Sequence, residues 1–106
     1  MLTPVQWSTI RNLVAWLDHE NGRSQEEITL RLLKLSEEVG EVAQAWIGVT
    51  GQNPRKGVTH SRADVADELV DVIVTAAVAL ASIVDQPEQV LAAKVAQIAD
   101  LRGVTC

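Results

Sequence analysis

The chain has 106 residues, 47% of them hydrophobic, with three Trp and no Phe or Tyr. This length suits one domain with a modest core, and the scarcity of aromatic and turn residues favours packed helices over strands. Fourteen acidic residues against nine basic ones give a formal net charge of -5, which argues against a broad nucleic-acid-binding surface.

Signals for export and for membrane insertion are missing from the sequence. The segment Met1-Leu2-Thr3-Pro4 lacks the basic and apolar regions of a signal peptide. The longest apolar stretch, residues 72–84, is shorter than the ~20 residues that a membrane span needs. The single cysteine, Cys106, excludes an intrachain disulfide, and we assign no function to its thiol. We therefore expect a cytoplasmic protein without membrane contact.

Two helices are predicted in the first half of the chain. Thr3-Pro4-Val5-Gln6 begins the first as a capping box with proline at the first helical position, and the helix ends near Glu20. Ser24-Gln25-Glu26-Glu27 predicts a second capping box, for a helix that ends at Gly48. The expected apolar stripes consist of Val5, Ile10, Leu13, Val14 and Leu17, then of Ile28, Leu32, Leu35, Val39 and Val42.

Gly40 interrupts the second predicted helix and should cost about 1 kcal/mol relative to Ala. It is either tolerated there or marks a close approach of the backbone to a neighbouring helix or a ligand. The sequence leaves both interpretations open.

The second half of the chain predicts a loop and two more helices. Residues 49–60 contain two Gly and one Pro and form the loop. Ser61 caps the third helix, to about Val84, with Asp64 favourably placed near its positive end. Beyond Asp71 this helix is apolar on nearly every side, so it should be central, lie in a subunit interface, or both. A fourth helix follows, from about Glu88 to Leu101. The predicted fold is an all-α four-helix bundle that forms one domain, residues 1–106.

Two acidic pairs stand out, one on each of the two long central helices. Glu38 and Glu41, like Glu68 and Asp71, are one helical turn apart and share a face. If these helices pack antiparallel, at the usual axial spacing of ~8–10 Å, the four carboxylates can converge around a cation such as magnesium. Apolar neighbours should direct the pairs toward a partly dry cleft: Val39, Val42, Leu69 and Val72.

Other acidic residues lie close to these pairs. Glu37 borders the first pair, while Asp64 and Asp67 extend the acidic side of the third helix and read as solvated. Acidic pairs at this spacing are also common on solvated helix faces. From spacing alone, a metal site and a solvated surface both remain open.

The pattern Glu37-Glu38-x-x-Glu41 followed by Glu68-x-x-Asp71 resembles the EExxE…ExxD signature of the all-α nucleoside triphosphate pyrophosphohydrolases, the MazG-like superfamily. The resemblance extends over residues 32–101. It implies a helical bundle assembled as a dimer or tetramer. It also implies hydrolysis of a nucleoside triphosphate between the α and β phosphates, with magnesium, or alternatively manganese, as the cofactor.

The resemblance also implies roles for individual residues. Metal ligands would be Glu38, Glu41, Glu68 and Asp71. Glu37, with Glu38, would orient or activate the attacking water. Family members carry a lysine at the position of Lys94, which would bind phosphate, and often an asparagine near the fourth residue after it, where this chain has Ile98.

Three further groups are candidates for substrate contacts. Lys34, one turn before Glu38, either binds phosphate or pairs with the neighbouring acids. Trp46 would stack on a base, although core packing is the alternative for all three tryptophans. Arg55 and Lys56 are loop candidates, with solvated charge as the alternative.

Three other functions compete with the enzyme hypothesis. The chain could be a catalytically silent helical scaffold or interaction module that keeps the acids as a vestige. A di-iron carboxylate bundle needs Glu-x-x-His motifs, and neither His19 nor His60 is placed in one. A small regulatory, antitoxin-like protein would need a basic recognition helix for DNA, which is missing, although a protein partner remains open.

Overall fold

A computed structural model describes residues 1–104, so the Cys106 thiol lies outside the described residues. Four α-helices follow one another: α1 (Pro4–Asn21), α2 (Gln25–Thr50), α3 (Arg62–Ile83) and α4 (Pro87–Leu101). Within residues 1–104 there is no strand, which confirms the all-α prediction. No helix in this part of the chain combines the length and the apolar character needed to cross a membrane.

The helix starts follow from side-chain caps. The Gln6 N–H donates to Thr3 Oγ1 over 3.1 Å while the Thr3 N–H donates to Gln6 Oε1 over 2.8 Å, so the first capping box is complete. Ser61 and Asp64 form a second complete box at α3. The sequence predicted Ser61 as the cap, and the hydrogen bond from the Ser61 N–H to Asp64 Oδ2 is an additional contact.

At α2 only half of the predicted capping box forms. Ser24 Oγ accepts from the Glu27 N–H over 3.1 Å. The Glu27 carboxylate does not return to the cap, because it accepts instead from Arg31 Nε over 2.7 Å. The cap still begins the helix at Gln25, and the carboxylate gains a charged partner.

Helix α2 continues past its predicted end at Gly48 and ends at Thr50. Gly51 adopts φ 64°, the left-handed conformation that closes many helices. Gly48 serves another purpose, because the loop folds back on it. Its carbonyl accepts from the Thr59 N–H over 2.9 Å, and a Cβ there would lie 2.0 Å from His60 Nδ1. Gly48 therefore marks a close approach of the loop to α2 and not the end of the helix.

Helix α3 is central, as its apolar sequence indicated. Both α1 and α2 pack against it but barely touch each other, and α4 touches it only slightly. The small core joins Trp7 and Ile10 of α1 to Ala77 of α3.

Four expected core positions are wrong: Val5, Leu13, Leu32 and Val39 are 76%, 38%, 45% and 51% exposed. Helix α2 packs mainly on α3, and α1 packs on α3 with a lighter contact to α4, so the wide apolar sectors of both helices are only partly covered. A Cβ at Gly40 would meet open space, so no other part of residues 1–104 approaches that backbone closely.

A second set of charges, here called the Arg31 network, ties the α1–α2 corner to the end of α3. The Arg31 guanidinium, 4% exposed, donates to Glu27, to Asp18 Oδ1 over 3.0 Å and to Ser82 Oγ over 3.1 Å. Arg23 also donates to Asp18, over 2.8 Å, and to the Ser82 carbonyl. Burial alone would raise the pKa of Asp18, but the hydrogen bonds from the two arginines outweigh it and lower the pKa.

Candidate metal centre

The two acidic pairs meet between α2 and α3. One carboxylate oxygen from each of four residues lies within 4.8 Å of all the others, and we call this set the acidic cluster: Glu38, Glu41, Glu68 and Asp71. Each helix contributes two residues one turn apart, so packing of the two helices is sufficient to assemble the group. The predicted convergence of the four side chains is confirmed.

The acidic cluster is partly withdrawn from water. Glu38 is 9% exposed, Glu41 and Glu68 are half-buried, and Asp71 is exposed at the rim. The Oε2 atom of Glu68 is buried and has no hydrogen-bond partner. A buried carboxylate oxygen without a partner is costly, and a bound cation is one of the few groups that would satisfy it.

The carboxylates repel one another. The pKa of Glu41 is raised, first by the negative charge of Glu38 and then by the neighbouring Glu68 carboxyl. A bound cation would offset this repulsion.

Lys34 supplies one positive charge at the edge of the cluster. Its Nζ atom lies 3.4 Å from Glu38 Oε1, and the lysine side chain is 56% exposed. Among residues 1–104 this is the only ion pair that reaches the acidic cluster. One exposed ammonium group cannot neutralise four carboxylates, so the cluster keeps a strong negative potential.

The predicted apolar surroundings form only in part. Val42 and Val72, each next to a cluster residue in the chain, are half-buried, but Val39 and Leu69 are 51% and 48% exposed. Exposure therefore varies within the cluster, from buried Glu38 to exposed Asp71. Glu37 is exposed and lies on α2 one residue before Glu38.

Trp46, the predicted stacking residue, lies beyond the cluster toward the end of α2. The Arg62 guanidinium sits over its ring, 5.1 Å from the ring centroid. Core packing, the alternative for all three tryptophans, holds for Trp7 but is wrong for Trp16 and Trp46, which are 59% and 43% exposed.

The structure does not bring Lys94 to the acidic cluster within one chain. It is exposed on α4, whose Glu88 pairs with Arg11 and whose apolar side faces the start of α1. Arg55 and Lys56 are exposed in the loop between α2 and α3. A phosphate-binding role for these three side chains stays a prediction.

Neither the Arg31 network nor the contact of Arg62 with Trp46 was predicted from the sequence. The spacing of Glu27 and Arg31, four residues apart on one helix, was an available signal for an ion pair. Nothing local signalled the contacts of Arg31 with Asp18 and Ser82, which lie 13 and 51 residues away in the chain.

Comparisons with protein-family models, with curated proteins and with solved structures found no match. Function is therefore inferred from the residues and from their arrangement.

Proposed function

We propose that this chain is a magnesium-dependent nucleoside triphosphate pyrophosphohydrolase. It would convert a ribo- or deoxyribonucleoside triphosphate into the monophosphate and pyrophosphate, with removal of non-standard nucleotides in the cytoplasm as one role. The observation that carries the proposal is the convergence of four carboxylates, one of which, Glu68, has a buried Oε2 atom without a partner.

The residues of the acidic cluster suit a hard divalent cation. Magnesium, manganese and calcium prefer oxygen ligands, and oxygens on opposite sides of such an ion are roughly 4–5 Å apart. The separations in the cluster, up to 4.8 Å, fall in this range. Glu38, Glu41, Glu68 and Asp71 would hold the ion. When bound, it would neutralise phosphate oxygens and lower the pKa of a water.

The side chains at the rim would handle the water and the phosphates. The Glu37 carboxylate, exposed beside the cluster, would accept a proton from the attacking water. The oxygen of that water would bond to the α-phosphorus. The bond from the α-phosphorus to the oxygen that bridges the α and β phosphates would break, and pyrophosphate would leave with that oxygen. Glu38 would be shared between the metal site and Lys34, whose ammonium group could turn toward a phosphate oxygen.

The direct test measures pyrophosphate and monophosphate release from common and damaged triphosphates, with magnesium and with a chelator. We expect release that depends on magnesium and is lost in Glu38→Gln. The control is Glu26→Gln, which neutralises an exposed glutamate on the same helix and should remain active. Circular dichroism should show an intact helical fold in both variants.

A different result would favour the scaffold alternative. No pyrophosphate from any substrate, together with no magnesium or manganese binding by calorimetry, would leave a helical interaction module as the better description. Unfolding of Glu38→Gln would mean that this acid is structural.

We also propose that the chain assembles as a homodimer or homotetramer. Its accessible surface is 7692 Å², against the ~5,800 Å² expected for a folded monomer of 11.5 kDa. Its radius of gyration is 16.8 Å, against ~13 Å for a compact domain of this length. The excess, roughly 1,900 Å² per chain, is within what a protomer of an obligate dimer buries.

The side of α3 that faces away from Glu68 is the surface we propose for this contact. Leu69, Val70 and Ile73 are 48%, 53% and 49% exposed there. Light scattering at micromolar concentration should give at least twice the monomer mass. Ile73→Glu should reduce it, whereas Val5→Glu, at another exposed apolar position, should not. A monomeric wild-type chain would contradict the proposal.

A further inference from the structure

An apolar cavity lies beside the acidic cluster, and we call it the side pocket. It has a volume of about 460 Å³, within the range of small-molecule sites. It opens between α1 and α2, because these helices pack on α3 but barely on each other. Its walls include Leu13 and Trp16 of α1, Leu30 and Lys34 of α2, and Val74 and Val78 of α3.

The side pocket and the acidic cluster adjoin each other at Lys34. Lys34 lines the pocket and also pairs with Glu38 of the cluster, over 3.4 Å. On α3, Val74 follows Asp71 by three residues, so the two side chains lie on the same side of the helix. The apolar wall thus begins about one turn from Asp71 on α3 and about two turns from Glu38 on α2, where it starts at Leu30.

The distance along the helices suits a nucleotide. From Glu38 back to Leu30 is eight residues, or about 12 Å of helix. A ligand with its phosphates at the cluster and its long axis along α2 therefore reaches the middle of the side pocket.

The two exposed tryptophans differ in position and in availability. Trp16 lines the side pocket and is 59% exposed. Trp46 lies about 120° around α2 from Lys34, and Arg62 covers one face of its ring. A base that stacks on an aromatic ring needs a free face, which Trp16 offers on the side of the cavity.

We propose that the side pocket holds the base and sugar of the substrate and that Trp16 is the stacking residue. This inference rests on the proposed function for the position of the phosphates, and it replaces Trp46 in that role. The Asn21 amide and the Thr75 hydroxyl, both in the wall, can donate to and accept from the edge of a base.

Calorimetry with ligands that are not cleaved tests the pocket. The probes are α,β-methylene nucleoside triphosphates of the four common bases, with inorganic tripolyphosphate as the base-free comparison, all with magnesium. For at least one base we expect the nucleotide analogue to bind roughly 10- to 100-fold more tightly than tripolyphosphate. Trp16→Ala should abolish this difference, and Trp16→Phe should keep most of it.

Trp46→Ala is the matched control. It also removes an exposed tryptophan side chain, but one on α2 that does not line the side pocket. It should keep the preference for the nucleotide. Loss of the preference in Trp46→Ala but not in Trp16→Ala would overturn the proposal. A lower molecular mass of Trp16→Ala by light scattering would also overturn it, because the pocket would then be an interface between copies.

The outcomes separate this proposal from the proposed function. Pyrophosphate release with unchanged KM in Trp16→Ala would support the proposed activity but contradict the role of the side pocket. Binding of the analogue that depends on Trp16, without pyrophosphate release from any triphosphate, would support the side pocket as a nucleotide site but contradict the proposed activity.

Discussion

The Arg31 network and the acidic cluster both hold carboxylates between helices, but they differ in charge balance. In the network, Asp18 and Glu27 face two arginines, and the pKa of Asp18 is lowered. In the cluster, four carboxylates face one exposed lysine, and the pKa of Glu41 is raised. Each charge of a balanced set has a partner within the fold, whereas the repulsion in an unbalanced set falls when a cation binds. The contrast separates charges that the fold itself pairs from the set that we propose binds a metal.

The largest effect is expected in the network. Arg31→Met should destabilise the fold by about 3–5 kcal/mol, because the half-buried Glu27 would lose its charged partner and Asp18 would keep only Arg23. Thermal denaturation should show a fall in Tm of more than about 10 °C. Arg55→Met, in the exposed loop, is the control and should change Tm little. A loss below about 1 kcal/mol would mean that the network is dispensable.

A cation should supply the partner that the cluster lacks. Magnesium at ten times its Kd should stabilise the protein by about 1.4 kcal/mol, seen as a higher Tm. Glu68→Gln should lose this gain yet be at least as stable as wild type without metal, since it removes a buried, unpartnered carboxylate oxygen. Asp67→Asn, an exposed neighbour, should respond to magnesium like wild type. An equal response in both variants would place the metal elsewhere.

Acid should weaken the network. The folded-state pKa of Asp18 is below its unfolded value, so its contribution to stability is present above the ordinary aspartate pKa and is lost as pH falls through the lowered pKa. Asp18→Asn should therefore flatten the decline of unfolding free energy on the acid side. Urea titrations at a series of pH values measure this slope. The lowered pKa values of Asp64 and Glu88 act in the same direction and should leave a residual slope in the variant.

The smallest effect concerns Lys34, the one cation at the cluster. Its pair with Glu38 is exposed on the lysine side, so Lys34→Met should cost at most about 0.5 kcal/mol. Removing the positive charge should also tighten magnesium binding, measured by calorimetry. A raised KM for the triphosphate with unchanged magnesium affinity would instead assign Lys34 to the phosphates.

Much of the fold was predictable because its signals are local. Capping residues and helix breakers located the four helices within a few residues, and the i, i+3 spacing of the acids gave the candidate ligands. Errors arose where partners come from distant parts of the chain. Gly48 predicts a helix end, and the close approach of His60 that it serves instead has no local signal. Val5 belongs to a predicted apolar stripe but is exposed, because its helix has fewer neighbours than the stripe suggests.

By itself the sequence determined the helices, their caps and which carboxylates share a face, since these depend on residues within one or two turns. It could not separate the pair Glu27–Arg31 from the pair Lys34–Glu38, which look alike at four residues' spacing. Only the tertiary structure decided that Arg31 is buried among partners from three helices while Glu38 joins three other acids. The free energy of a charge depends on burial and on neighbours across the helix interfaces, and packing alone supplies both.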